Sequence, residues 1–120
     1  ERGAYSRTTV PMYQYVAGRV SRLWNYNGNC ALVVGATYAD VELKIVREII
    51  GDMPILLPGI GAQGGDLEKT VANGHNSQGQ GMIINSSRGI IFASAGPDFA
   101  ERAAVETVNL HKGTNNALVV

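Results

Sequence analysis

The sequence predicts an α/β fold built on a parallel sheet. Three short apolar runs of strand length are separated by segments in which apolar residues recur at helical spacing. The apolar runs are nearly continuous, which is typical of strands that are buried on both faces of a parallel sheet. Parallel strands need long crossover connections, and the intervening helical segments supply them. The expected order of elements is therefore α-β-α-β-α-β-α.

The first half of the chain predicts a helix, a strand and a second helix. The first helix, 11–25, has an apolar stripe that we expect to face the sheet, formed by Met12, Val16, Val20, Leu23 and Trp24. The first strand is the apolar run 30–34. The second helix, 39–50, is amphipathic and ends at Gly51. Its apolar face contains Val41, Ile45, Val46 and Ile49, and its charged face, expected in solvent, contains Glu42, Lys44, Arg47 and Glu48.

The second half continues the alternation without a linker or a low-complexity tract. The expected elements are a strand at 55–57, a short helix from about Leu67, a strand at 82–84 and a last helix at 97–111. In the last helix we expect the inward residues to be Phe99, Ala103, Thr107 and Leu110. We expect one partial domain, 1–120, in which residues 1–9 and 113–120 are irregular.

Composition limits the possible classes of function. The chain has 120 residues, enough for one domain, and its 10 basic residues balance its 10 acidic ones. Zero net charge argues against nucleic-acid and acidic-membrane partners, and no apolar run approaches the ~20 residues of a membrane span. The single cysteine cannot form an internal disulfide. These features predict a cytoplasmic protein, and no His, Cys, Asp or Glu spacing indicates a metal site.

The most informative stretch is Pro58–Asp66, P-G-I-G-A-Q-G-G-D, which directly follows the apolar run 55–57. A strand, a glycine-rich turn and a helix in this order are typical of anion sites, because glycine permits positive φ and lets backbone N–H groups face a ligand. The helix that follows adds the positive end of its dipole. A second polar segment, Asn85–Gly89, follows the next apolar run. Because the carboxyl ends of parallel strands meet at one edge, the two segments predict a phosphate site there.

The glycine spacing also fits the dinucleotide fingerprint G-x-G-x-x-G, through Gly59, Gly61 and Gly64. That fingerprint comes with an acidic residue about 20 positions further on. The segment 79–97 contains no Asp or Glu, which disfavours a dinucleotide site. Thr37, at the end of the first strand, is an equal candidate for lining the pocket and for capping the next helix.

Three strings carry a resemblance to a known family: V-V-G-A-T at 33–37, P-G-I-G-A-Q-G-G-D at 58–66 and I-N-S-S-R-G-I-I at 84–91. From about Val10 to His111 the chain resembles orotidine 5′-monophosphate decarboxylase, in the longer variant that also occurs fused to orotate phosphoribosyltransferase. The family fold is a (β/α)₈ TIM barrel of about 250 residues. The resemblance implies the C-terminal half of such a barrel, with strands six to eight and their helices.

The same resemblance implies roles for individual residues. The family converts orotidine 5′-monophosphate to uridine 5′-monophosphate (UMP) without a cofactor. Gln63 and Arg88 would bind the 5′-phosphate, with backbone N–H groups around Ser87–Gly89, and Pro58 would lie near the pyrimidine. The complete set of candidate substrate-binding residues is Thr37, Pro58, Gly61, Gln63, Gly64, Ser87, Arg88 and Gly89.

The catalytic motif of the family, Asp-x-Lys-x-x-Asp with a further Lys, has no counterpart in this sequence. We therefore expect a fragment that is inactive alone. It would either associate with a second copy, which closes a pseudo-barrel from two halves, or bind the missing N-terminal half of the barrel. The resemblance implies that the intact enzyme is a homodimer. Two alternatives stay open. One is a non-catalytic nucleotide- or sugar-phosphate-binding module, and the other is a different phosphate-binding barrel enzyme.

Overall fold

Three parallel strands in the order β1-β2-β3 form the sheet of the computed structural model, which describes residues 9–61 and 66–118. The strands are β1 (Leu32–Val33), β2 (Ile55–Pro58) and β3 (Met82–Asn85). Leu32 and Val33 pair with Ile55 and Leu56, which pair in turn with Met82 and Ile83. The prediction of an α/β fold with three parallel strands is confirmed.

The helices alternate with the strands as the sequence predicts. They are α1 (Met12–Arg19), which continues as a π-helical stretch over Val20–Trp24, α2 (Glu42–Ile50), α3 (Leu67–Gly74), α4 (Arg88–Ile91) and α5 (Phe99–Ala117). Gly51 follows α2 with a φ of 62°, a conformation that favours glycine. The short helix α4 lies in a segment that sequence patterns left without structure. The prediction of an irregular tail from residue 113 is wrong for 113–117, which continue α5.

Only one face of the sheet is packed by helices in the part of the chain that the structure describes. The core between this face and the helices is formed by Ala17, Val20, Leu43, Val46, Ile50, Ile55 and Leu57, with partly buried Leu32, Val34, Met82 and Ile84 around it. On the opposite face, Val33 is 68% exposed and Ile83 is 57% exposed. The prediction that the strands are buried on both faces is therefore wrong for this chain, because described residues cover one face alone.

Each helix buries fewer residues of its predicted apolar stripe than the sequence pattern indicates. Helix α1 and the π-helical stretch contact α2, and they bury Ala17 and, of the predicted stripe, Val20. The other stripe residues, Met12, Val16, Leu23 and Trp24, are exposed. Helix α2 buries Leu43, Val46 and Ile50 and leaves Val41 exposed. Helix α5 packs against α3 and α4, with Ala103 and Leu110 half-buried but Phe99 and Thr107 exposed. Neighbouring helices, and not the sheet alone, decide which residues are buried.

Candidate functional site

A small cleft opens at the carboxyl ends of β2 and β3, where the sequence predicts the phosphate site. Its volume is about 80 Å³, and its lining residues are Pro58, Gly59, Ile60, Asn85, Ser86, Ser87 and Arg88. Parallel pairing brings these segments together, because Pro58 at the end of β2 pairs with Asn85 at the end of β3. Water occupies about 30 Å³ per molecule in the liquid, so the cleft has room for a small polar group.

The first wall of the cleft is the turn that leaves β2. Gly59 has a φ of 97° and Gly61 a φ of 77°, conformations that side chains other than glycine rarely adopt. The side chain of Ile60, which lies between them, is buried, with only 6% of its surface exposed. The two glycines thus allow the chain to turn sharply on both sides of a residue that is fixed in the core.

The second wall is the turn that leaves β3 and enters α4. Arg88 is exposed at the first position of α4, and Ser87 precedes it as the N-cap residue. The N–H groups at the start of a helix have no partner within the helix. An exposed guanidinium beside such N–H groups supplies the kind of donors that bind phosphate oxygens.

A second cavity, of about 280 Å³, lies next to the cleft between the same two turns and α5. It is lined by Ile60, Gly61, Leu67, Ser86, Gly89, Ile90, Glu106, Asn109 and Leu110. The two cavities share Ile60 and Ser86. Ser86 belongs to the polar segment Asn85–Gly89 that the sequence predicts at this site, but it is not one of the eight residues named as substrate-binding candidates.

The helix that follows the glycine-rich segment begins as the sequence indicates. Asp66 is the N-cap residue of α3, and its carboxylate accepts a hydrogen bond from the N–H of Lys69 at 3.1 Å. The Lys69 ammonium donates to Asp40 at 2.9 Å, and this bond raises the pKa of Lys69 above its usual value. The side-chain amide of Asn73 also donates to the carbonyl of Ala39, at 3.1 Å. These contacts join the segment after β1 to both ends of α3.

The structure brings together most, but not all, of the candidate residues. Pro58, Ser87 and Arg88 line the cleft, and Gly61 and Gly89 line the adjacent cavity. Thr37 is exposed in a 3₁₀ segment, 36–38, outside both linings, and Val41 takes the N-cap position of α2 that Thr37 was a candidate to fill. Gln63 and Gly64 lie outside the described residues. Within the described ranges, no group of three His, Cys, Asp or Glu residues could hold a metal ion.

Comparison with known proteins connects this site to a family. No protein-family model matches the sequence. The orotidine 5′-phosphate decarboxylase of Janthinobacterium sp. (strain Marseille) is 56% identical over 100 residues, which are 81% of this chain and 36% of that protein. The orotidine 5′-phosphate decarboxylase of Bordetella petrii is 53% identical over 106 residues, 88% of this chain and 39% of the relative. The chain thus spans little more than a third of the length of these relatives.

Solved structures agree with the sequence comparison. The UMP synthase of Leishmania donovani aligns with a TM-score of 0.71 at 37% identity, over 89% of this chain and 23% of that protein. The OMP decarboxylase of the same organism aligns with a TM-score of 0.70 at 34% identity, over 92% of this chain and 41% of that protein. The three strands and their helices therefore have the fold of part of a TIM barrel. In sequence and in fold, this chain resembles one portion of orotidine 5′-phosphate decarboxylase.

Proposed function

We propose that this chain is part of an orotidine 5′-phosphate decarboxylase, an enzyme that releases CO₂ from orotidylate to form UMP in pyrimidine synthesis, and that this part binds the 5′-phosphate. The observation that carries the proposal is the cleft at the carboxyl ends of β2 and β3, in a chain 56% identical to such a decarboxylase. In barrel enzymes a phosphate frequently binds between the loops that follow the last two strands.

The chemistry of the cleft suits a phosphate. The Arg88 guanidinium is a fixed fork of N–H donors, and phosphate oxygens accept such pairs of hydrogen bonds. Backbone N–H groups of Ser87 and Gly89 would complete the contacts, and Pro58 would lie on the side of the pyrimidine. By its place in the glycine-rich segment, Gln63 would donate its amide N–H₂ to the same phosphate, next to Gly64.

The chain would provide binding energy and not the reacting groups. Interactions with the phosphate, remote from the carboxylate that leaves, can be used to stabilise the transition state at the other end of the substrate. The proton that replaces CO₂ would come from a lysine in the remainder of the barrel. We therefore propose that the 120-residue chain alone does not decarboxylate orotidylate and gains activity only with that remainder.

The face of the sheet that no described helix covers is a second reason to expect the remainder of the barrel as a partner. Val33 and Ile83 lie side by side with Leu56 in the pairing register, and both are more than half exposed. Apolar residues of this kind fill the interior of a closed barrel. We propose the missing barrel half as the partner that covers them, a homodimer as the complete assembly, and the cytoplasm as its location. In the residues that the structure describes, no helix is long and apolar enough to cross a membrane.

Calorimetric titration of UMP into the chain tests phosphate binding. We expect saturable binding that falls about 10- to 100-fold in Arg88→Ala, because a hydrogen bond to a charged group contributes about 1.5–3 kcal/mol. Arg102→Ala is the matched control, since Arg102 is an exposed arginine of α5 outside the linings of both site cavities. Equal affinities of the parent chain and Arg88→Ala would contradict the proposed role of Arg88.

Two further ligands separate the alternatives. Uridine, which lacks the phosphate, should bind at least tenfold more weakly than UMP if the cleft recognises phosphate. Ribose 5-phosphate should bind more weakly than UMP if the pyrimidine is also recognised. Equal binding of ribose 5-phosphate and UMP would instead favour a general sugar-phosphate module.

A further inference from the structure

Ser86 connects the two turns that form the cleft. Its hydroxyl donates to the carbonyl oxygen of Ile60 at 3.5 Å, a long hydrogen bond. The residue is half-buried and lines both the cleft of about 80 Å³ and the neighbouring cavity of about 280 Å³. It therefore lies in the wall of the candidate phosphate cleft and joins the β2 turn to the β3 turn.

The acceptor of this hydrogen bond is held in place from the other side. The Ile60 side chain is buried, and Gly59 and Gly61 on either side of it have positive φ. The buried side chain and the backbone conformation of the two glycines fix the turn around Ile60. The turn then sets the direction of the Ile60 carbonyl. Because the Ser86 hydroxyl is bonded to that carbonyl, it fixes the position of the β3 turn relative to the β2 turn.

Gly89 leaves the space that the Ser86 hydroxyl needs. A Cβ atom placed on Gly89 would lie 2.9 Å from the Ser86 Oγ, which is closer than real Cβ contacts allow. Any larger residue at 89 would force the hydroxyl to rotate, and rotation would take it away from the Ile60 carbonyl. The glycine of the S-R-G string is thus explained by a neighbouring side chain.

We propose that Ser86 is a positioning residue of the phosphate site, which fixes the Ile60 turn relative to the Arg88 turn. The proposal rests on the proposed function, since it assigns to Ser86 a role in that same site. Ser86 acts through the spacing of the donors on the two turns, and Gly89 is required because it leaves room for the Ser86 hydroxyl.

The first experiment compares hydroxyl variants by titration with inorganic phosphate and with UMP. Ser86→Ala should weaken binding of both about two- to fivefold, in the lower part of the range for one neutral hydrogen bond because this bond is long. Ser86→Thr keeps a hydroxyl and should restore most of the affinity. Ser94→Ala is the matched control, because Ser94 also bonds through its hydroxyl, to Asp98 at 2.6 Å, but lines neither cavity. Binding of uridine, measured beside them, should change less than twofold in Ser86→Ala.

The second experiment is a double-mutant cycle with Gly89→Ala. If Gly89→Ala acts by displacing the Ser86 hydroxyl, it should weaken phosphate binding in the parent chain and have little further effect in Ser86→Ala. Equal losses in both backgrounds would mean that the alanine methyl obstructs the ligand directly, and would contradict the proposed role of Gly89.

The amide NMR signals of the ligand-free chain give a readout that does not depend on binding. Ser86→Ala should shift the signals of Ile60 and Gly61 and accelerate their hydrogen exchange, while Ser94→Ala should not. A parent chain that binds phosphate, with Ser86→Ala unchanged in affinity and in these signals, would overturn the positioning role alone. A folded parent chain that binds neither phosphate nor UMP would overturn the proposed function and, with it, the positioning role.

Discussion

The two ends of the sheet are held together in different ways. At the amino ends of the strands, one arginine on α2 donates hydrogen bonds to carbonyl groups of four residues. At the carboxyl ends, the described residues join the two turns of the cleft by a single long hydrogen bond from Ser86. The same three strands thus carry a tightly bonded end and an open end with exposed donors.

Arg47 is the centre of the tightly bonded end. Its guanidinium donates to the carbonyl of Gly51 at 2.7 Å, to Met53 at 2.6 Å, to Gly74 at 2.9 Å and to Gly81 at 3.4 Å. These acceptors precede β2, end α3 and precede β3. Partial burial lowers the pKa of Arg47, although the negative charge of Asp52 opposes that shift. One side chain therefore fixes the start of two strands and the end of a helix.

The contrast between the two ends is the one expected if stability and the proposed phosphate binding are separated along the strands. In barrel enzymes, residues at the amino ends of the strands serve stability and residues at the carboxyl ends serve function. Arg47 on one end and Arg88 on the other make that separation testable with the same residue type. Variants at the amino end should change unfolding, and variants at the carboxyl end should change binding.

Arg47→Met should have the largest effect on stability. Methionine retains much of the apolar stem but leaves four carbonyl groups without their donor, so we expect a loss of about 2–4 kcal/mol in the free energy of unfolding. Urea denaturation measures this loss. Arg47→Lys should recover only part of it, because an ammonium cannot reproduce the planar fork of donors.

Lys44→Met is the control for Arg47→Met, since Lys44 is an exposed cation on the same helix. It should change the free energy of unfolding by less than about 0.5 kcal/mol. If Lys44→Met and Arg47→Met were equally stable, the amino end would not depend on the arginine, and the contrast between the two ends would fail.

Gly74→Ala should have the next largest effect. A Cβ on Gly74 would lie 2.9 Å from the Met82 sulfur and within 3.3 Å of methyl groups of Leu57 and Leu43. Overpacking of this kind costs about 1–3 kcal/mol, which chemical denaturation would detect. The close packing around Gly74 is what lets α3 end against the sheet.

Gly18→Ala is the matched control for Gly74→Ala. Gly18 is also helical, but the nearest atom to its added Cβ, a methyl carbon of Ile49, is 4.0 Å away. Alanine has the higher helix propensity, so this variant should be neutral or more stable by up to about 1 kcal/mol. A loss in both variants would point to a general cost of replacing helical glycine and not to packing at Gly74.

Asp52 should make the amino end sensitive to acid. Its carboxylate accepts hydrogen bonds from the N–H of Ser77 at 3.0 Å and from the Ser77 hydroxyl at 2.8 Å, and these bonds lower its pKa below the usual 3.8. Because the folded-state pKa is the lower one, the stabilisation is present above about pH 4 and is lost as the pH falls through the folded-state pKa.

The variant Asp52→Asn tests this pH dependence through the midpoint of urea unfolding. We expect the variant to be less stable than the parent chain at pH 7, and the difference to shrink steadily below pH 4. A difference that is constant between pH 7 and pH 2.5 would show that the charge of Asp52 is not the cause.

The sequence predicts the order of the elements well, because that order follows from local patterns. Continuous apolar runs mark the strands, Gly51 marks the end of α2, and Asp66 marks the start of α3. The predicted phosphate site is also local in this sense, since its residues occupy two turns that directly follow strands. Parallel pairing then brings the turns together without any further specific signal.

What the sequence does not reveal depends on contacts between distant segments. Arg47 looks like part of a solvated helix face, yet the carbonyl of Gly81, 34 positions away, accepts its hydrogen bond. Ser86 bonds to a residue 26 positions away. The exposure of Val33 on a strand that looks buried depends on which other chain segments cover the sheet. No pattern within a single segment contains this information.

Arg88→Ala should have the smallest effect on stability, although it should have a large effect on binding. Arg88 is exposed, and the side-chain hydrogen bonds of the described residues do not include it, so its removal should change the free energy of unfolding by less than about 0.5 kcal/mol. Urea denaturation of Arg88→Ala, performed beside Arg47→Met and without ligand, compares the two ends directly. With saturating UMP, the parent chain should gain stability from binding, and Arg88→Ala should gain less. If Arg88→Ala instead lost as much stability as Arg47→Met without ligand, Arg88 would be part of the folded framework, and the carboxyl end would not be reserved for binding.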